Sequence, residues 1–277
     1  MAAETQYTAN TGMVKISTAN TNLDGTGTLG TVLTAASNGT LIKTVYIKAT
    51  GTGASSTSQG MVRLFVFDGV NNRLLQEIDV PPMGQSSTDA TFETTLELNY
   101  HLKAGYILKA STNNANGFNV IAEGLDFAYY ATSVRPESTN FTANTGVGLV
   151  NANNTALDGS GTVGTTIFTI LTAGASGSGW KGCAIDYINI KSIVDSTKGM
   201  VRIFIQNTGT GTANTFLLTE IFVPPIDGSG TFPQFHRKIE FLKRFQLQAG
   251  FKILATTETT AQSFAIIADA MDWKYPA

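Results

Sequence analysis

The residues able to carry chemistry are few, and most of them come in pairs. Gly25-Thr-Gly27-Thr-Leu-Gly30 and Gly159-Ser-Gly161-Thr-Val-Gly164 both have the G-x-G-x-x-G spacing of a dinucleotide-phosphate loop. That loop works when a buried strand enters it and a helix leaves it, so that the helix N-terminus faces the pyrophosphate. Here the entering segment Thr18-Ala-Asn-Thr-Asn-Leu23 is mostly polar, and the departing segment meets Gly39 too soon for a helix. We therefore read both as Gly-rich connections between strands. Asp24 and Asp158 head these loops. A carboxylate in that place accepts backbone N–H bonds as an Asx-type cap, whereas calcium needs further oxygen ligands and neither loop has a second acid.

Arg63 and Glu77 recur as Arg202 and Glu220, each among apolar strand residues. A cross-strand ion pair within one module is the favoured reading, and an intersubunit pair is the sharper alternative. Trp180 ends the Gly-rich stretch Gly174-Ala-Ser-Gly-Ser-Gly-Trp180, where a large aromatic equally plugs a groove or meets a partner. His101 and His236 occupy unmatched places, and without a G-x-S-x-G elbow they make no obvious acid–base set. Cys183 is the one cysteine and has no counterpart in the matching sequence. That excludes an intrachain disulfide framework or a cysteine metal cluster, leaving a small buried residue. Glu123 and Asp269 align as acids, the raw material of a glycan-cleaving carboxylate pair, but their repetition marks them as structural first. No cofactor and no metal are expected.

Nearly everything above occurs twice because the chain is a duplication. Tyr7-Thr-Ala-Asn-Thr-Gly12 returns as Phe141-Thr-Ala-Asn-Thr-Gly146, and Leu23-Asp-Gly-Thr-Gly-Thr28 as Leu157-Asp-Gly-Ser-Gly-Thr162. Gly60-Met-Val-Arg63 returns as Gly199-Met-Val-Arg202, Glu77-Ile-Asp-Val-Pro-Pro82 as Glu220-Ile-Phe-Val-Pro-Pro225, and Ala104-Gly-Tyr106 as Ala249-Gly-Phe251. The spacing between counterparts widens in small steps, each in a Gly/Ser/Asn-rich gap where surface loops tolerate insertion. A period of this length is one compact domain, too long for a solenoid or propeller unit. The expected division is a domain over 1–132, a linker over 133–140 containing Pro136, and a second domain over 141–277.

Charged residues are only 14% of the chain and the two signs nearly balance, 18 Lys+Arg against 20 Asp+Glu, so the clustered basic face of a nucleic-acid binder is missing. No run approaches the apolar length that crosses a bilayer, and no basic segment followed by an apolar one opens the chain, so neither a membrane nor the usual export signal is expected. Short runs of β-branched and aromatic residues bounded by Gly, Asn, Ser and Pro give strands near Met13–Ser17, Gly30–Ala35, Thr40–Ala49, Gly60–Asp68, Arg73–Val80, Thr91–Leu98, Tyr106–Ser111 and Phe118–Tyr130. The second copy repeats the plan at Gly199–Gln206, Phe216–Val223, Lys238–Leu242, Phe251–Thr256 and Phe264–Tyr275. The third strand places Leu41, Val45 and Ile47 on one face with Lys43 as an exception. Met61–Phe67 is apolar on both sides apart from Arg63, as in a central, doubly covered strand. The fold class is all-β: two tandem eight-stranded antiparallel β-sandwiches, with the jelly roll preferred over an immunoglobulin-like sandwich on strand count. Their Thr-, Ser- and Asn-rich outer faces suit contact with protein or with glycan, since burying them carries no ionic desolvation cost.

Ala9-Asn-Thr-Gly12, Leu23-Asp-Gly-Thr-Gly-Thr28, Gly60-Met-Val-Arg-Leu-Phe65, Glu77-Ile-Asp-Val-Pro-Pro82 and Ala104-Gly-Tyr-Ile-Leu-Lys-Ala-Ser111, with their counterparts, resemble the small jelly-roll virion proteins of tailed bacteriophages. These are used as auxiliary, decoration or head-fibre components. The resemblance implies a non-enzymatic role in the virion, a homo-oligomer, commonly a trimer, and contact with other capsid proteins. It carries no catalytic residue across. A second, architectural resemblance is to the double jelly-roll coat proteins of viruses, although their halves are seldom so alike. A carbohydrate-binding module or adhesin is the alternative from another class.

Overall fold

The structure, a computed structural model, describes residues 6–51, 57–84, 86, 88–128, 140–175, 179–226, 234–258 and 262–274. Its strands are β1 (Gln6–Ile16), β2 (Gly30–Thr34), β3 (Thr40–Ala49), β4 (Gly60–Phe67), β5 (Asn72–Val80), β6 (Glu93–Leu102), β7 (Ile107–Thr112) and β8 (Phe118–Ala128). There follow β9 (Asn140–Ala143), β10 (Gly146–Val150), β11 (Phe168–Thr172), β12 (Trp180–Ser192), β13 (Gly199–Gln206), β14 (Thr215–Val223), β15 (His236–Leu247), β16 (Lys252–Thr257) and β17 (Phe264–Lys274). A single 3-10 turn, Thr212–Asn214, is the only helical piece among the described residues. The chain divides into two compact units, one holding β1–β8 and the other β9–β17. Of the expected 133–140 linker only Asn140 is described, and it opens β9.

In the first unit the sheets run β1-β8-β3-β6 and β2-β7-β4-β5. Strands 1 and 8, 2 and 7, 3 and 6, and 4 and 5 all pair antiparallel, so the unit is one long nested hairpin rolled into two sheets. That nesting is the jelly roll. The second unit repeats it as β10-β17-β12-β15 and β11-β16-β13-β14, with β9 extending β10 along β17. In each unit the core lies between the sheets. Ile42, Val45 and Ile47 of β3 meet Val62, Leu64 and Val66 of β4 and Leu108 of β7, all buried. Each such side chain contributes about 1.5–3 kcal/mol on leaving water.

Three differences from the sequence reading have physical causes. The first strand begins at Gln6, not Met13, so the repeated Tyr-Thr-Ala-Asn-Thr-Gly motif is itself extended, held residue for residue by β8 from Tyr7↔Phe127 to Ile16↔Phe118. Its Gly12 is a contact glycine: a Cβ there would lie 2.2 Å from the Val32 carbonyl oxygen, where β1 crosses close to β2, and Gly146 meets Ile170 the same way at 2.4 Å. Second, β6 runs on to Leu102 and β15 to Leu247 because each bends at a bulge. Asn99 (φ 46°) and Arg244 (φ 57°) take the left-handed conformation there. Third, β3 has a bulge of its own at Lys43, one residue more than β8 has there, so Ile42 rather than Leu41 joins Val45 and Ile47 in the core. The alternation was sound, but its phase changes once.

Candidate functional site

The best-defined constellation in each unit joins the Arg–Glu pair to the Gly-rich loop. Arg63 on β4 stands directly across from Glu77 on β5, and its Nε donates to Glu77 Oε1 at 2.8 Å. Its Nη1 donates to the Asn20 carbonyl at 3.1 Å. Asn20 is buried, and its Nδ2 donates to the carbonyls of Thr26 (2.9 Å) and Thr28 (3.0 Å) while its Oδ1 accepts from the Asn22 amide (3.0 Å). The loop is thus wound around one amide side chain, which in turn hangs from the arginine. Asp24 caps the turn, its Oδ1 accepting from the Thr26 amide (2.9 Å) and hydroxyl (2.7 Å). These bonds, the hydroxyl's foremost, hold the Asp24 carboxyl below its usual range.

The second unit builds the same clasp. Arg202 Nε donates to Glu220 Oε1 at 2.9 Å and Nη1 to the Asn154 carbonyl at 3.3 Å. Asn154 Nδ2 donates to the Ser160 carbonyl at 2.7 Å, its Oδ1 accepts from the Ala156 amide at 2.9 Å, and Asp158 accepts from the Ser160 amide at 2.8 Å. The glycine spacing that imitates a nucleotide loop is spent here on backbone geometry. Gly25, Gly27, Gly159, Gly161 and Gly164 have positive φ, and Gly30 opens a strand, not a helix. Asn20 and Asn154 escaped the sequence reading. The signal was present, since both stand three residues before the Leu-Asp-Gly of the repeat.

A second constellation ties β1 to β8 in the first unit and the break between β9 and β10 to β17 in the second. Asn10 Nδ2 donates to Asp126 Oδ1 at 2.8 Å and to the Thr34 carbonyl at 3.1 Å, and the Thr40 hydroxyl donates to the same Asp126 oxygen. In the second unit Asn144 Nδ2 donates to Asp272 Oδ2 at 2.9 Å and to the Thr172 carbonyl at 2.9 Å, and Cys183 lies across from Asp272 as Thr40 lies across from Asp126. Cys183 therefore does have a counterpart, Thr40, hidden from the sequence reading by the loop insertions between them. Burial, and next the Asp272 carboxylate, push its thiol far up, which keeps it in the unreactive protonated form.

The remaining candidates are placed apart. Glu123 is buried and paired with Lys43 at 2.8 Å, while Asp269 bonds the Tyr187 hydroxyl and raises its pKa. They occupy equivalent places in separate units. Trp180, read as a loop residue, opens β12 across from Lys274, whose Nζ sits 5.0 Å from the indole centroid. The indole lies against Gly174, where a Cβ would come within 2.6 Å of it. His101 stacks on Phe127 at 5.8 Å, and His236 lies exposed across from Lys191. Among the described residues no three His, Cys, Asp or Glu side chains gather as a metal site, and no helix is long and apolar enough to cross a membrane.

No family model matches the chain, and no curated protein matches it. Solved structures similar to it include the major capsid protein P2 of bacteriophage PM2 (12% identity, 96% of this chain and 98% of that one, TM-score 0.25). Others are a peptide:N-glycanase F (11%, 95% and 96%, TM-score 0.24) and a fucolectin from striped bass serum, Morone saxatilis (10%, 98% and 99%, TM-score 0.24). A shell protein, a glycanase and a lectin at this level assign none of their roles to this chain. The all-β jelly-roll architecture stands on the strand order itself.

Proposed function

We propose that this chain is a non-enzymatic structural component of a bacteriophage virion, a capsid or capsid-decorating protein that assembles through its sandwich faces as a trimer and meets other capsid proteins. The observation that supports this reading is the use made of the shared motifs. The Arg–Glu pair, the Asn-centred loop and the Asn–Asp tie hydrogen-bond to backbone and to one another in both units. What the duplication keeps is a braced scaffold. The outer surface adds exposed apolar side chains, among them Val147, Leu149 and Ile267, whose removal from water favours protein contact. Antibody labelling of purified phage particles, followed by imaging, tests the reading. Decoration of the capsid at regular positions is expected, and labelling absent from particles that carry the gene would overturn it.

A further inference from the structure

The outward face of β10-β17-β12-β15 has an order of its own. Strand register sets Val147, Ile267, Asn189 and Lys238 abreast. Two residues along, on the same face, come Leu149, Ala265, Lys191 and His236. Two residues the other way come Asp269, Tyr187 and Glu240. Val147 is 66% exposed, Leu149 46% and Ile267 40%, so the β10–β17 side of this face is an open apolar strip. Beside it the polar groups differ along the strands, with Lys191 and the His236 imidazole at one end and Asp269, Glu240 and the Asp186–Arg244 ion pair (2.7 Å) at the other. Lys238 lies between the ends, bonded to Glu240 at 2.7 Å with its ammonium 4.3 Å from the Tyr187 ring centroid. The first unit carries Met13 and Lys15 where the second has Val147 and Leu149, and Ile121 where it has Ile267. Ile121 is fully buried and Lys15 puts a charge on the strip, so the open apolar surface belongs to the second unit.

We infer that this face is an isologous contact between two copies of the chain, joined about a two-fold axis that lies across the strands at the level of Val147 and Ile267. A partner of one charge sign would complement only one end of the face. The same face turned over complements both: the apolar row falls on itself, and Lys191 and His236 of one copy fall opposite Asp269 and Glu240 of the other. Two sheet faces meeting in this way repeat the packing that already builds each sandwich. The inference names a contact surface within the assembly proposed above and rests on that reading, but the two-fold contact is separate from the three-fold one.

The test is the molar mass of the full-length chain by size-exclusion chromatography with light scattering, alongside Val147→Glu, Ile267→Glu and the charge pair Lys191→Glu and Asp269→Lys. Wild type is expected as a pair of trimers, and a plain dimer would support the two-fold contact while overturning the three-fold one. Val147→Glu and Ile267→Glu should each halve that mass with an unchanged circular dichroism spectrum. Lys191→Glu should raise the dissociation constant about tenfold, and adding Asp269→Lys should restore it, which a purely structural role for either residue would not produce. An odd-numbered wild type, or an even-numbered one unmoved by both apolar variants, overturns the two-fold contact while leaving the assembly reading in place. A monomer at tens of micromolar, the range of a weak encounter, overturns both.

Discussion

Beside Arg63 in the first unit, Glu77 leaves 39% of its side chain in water, whereas beside Arg202 in the second, Glu220 leaves none. The loops above them differ in the same sense. Leu23 is 52% exposed, while Leu157 is 2% exposed and packs with Ile167, Phe204, Leu217 and Leu254 into a small apolar cluster of its own. Two further substitutions accompany the closure. Leu254 stands where the first unit has Lys109, and Glu258, 3.6 Å from Arg202 Nη2, stands where it has Asn113, which accepts from the Met61 amide at 2.7 Å. One clasp has thus been kept in two settings, half-wet and dry. The lesson is that a shared motif fixes which atoms meet, while the lining of the loop above it decides how much the meeting is worth.

Removal of the same arginine from each unit should give the largest contrast. Arg202→Met strands Glu220 and Glu258 in a dry site and should cost about 3–5 kcal/mol. Arg63→Met leaves Glu77 access to water and should cost on the order of 1–3 kcal/mol. Urea unfolding of the full chain measures both, and equal losses would contradict the contrast. Next in size is the leucine pair. Leu157→Ala removes a buried side chain and should cost about 2–5 kcal/mol, against about 0.5 kcal/mol or less for Leu23→Ala.

Smaller effects sharpen the likeness between the units. Cys183→Thr installs the first unit's residue across from Asp272 and should change stability by about 0.5 kcal/mol or less. The wild-type thiol should resist a thiol reagent in the folded protein and react on unfolding. Last comes Asp24. Its carboxyl is depressed by Thr26, so any stabilisation it gives is present above the unfolded carboxyl's pKa and is lost as pH falls through the folded one. An NMR titration should place Asp24 below the ordinary 3.8, and Thr26→Val should bring it back towards that value.

Much of this was legible in the chain. Strand positions followed from β-branched residues punctuated by Gly, Asn and Pro, and the duplication aligned Arg63 with Arg202 and Asp24 with Asp158. What escaped has physical reasons. Strand order depends on pairings far apart in sequence, such as Tyr7 with Phe127, which periodicity does not encode. The polar first strand carries few apolar residues because its hydrogen bonds to β8 hold it extended. The phase change at Lys43 arises because β3 carries one residue more than β8 there, while β6 in turn carries one more than β3, and neither excess shows in the apolar pattern of a single strand. Asn20 and Asn154 look like ordinary loop asparagines until the backbone is seen folded around their amides. Cys183 was matched to nothing because the insertions displaced it from Thr40, although both stand across from the aspartate that ties the unit's last strand.

On the function proposed above, this braced scaffold serves contact with other protein. The measurement that bears on it most directly is the molar mass of the full-length chain in solution by light scattering at micromolar concentration. A discrete oligomer built on trimers is expected, and a mass equal to that of one chain across that range would contradict the proposed function.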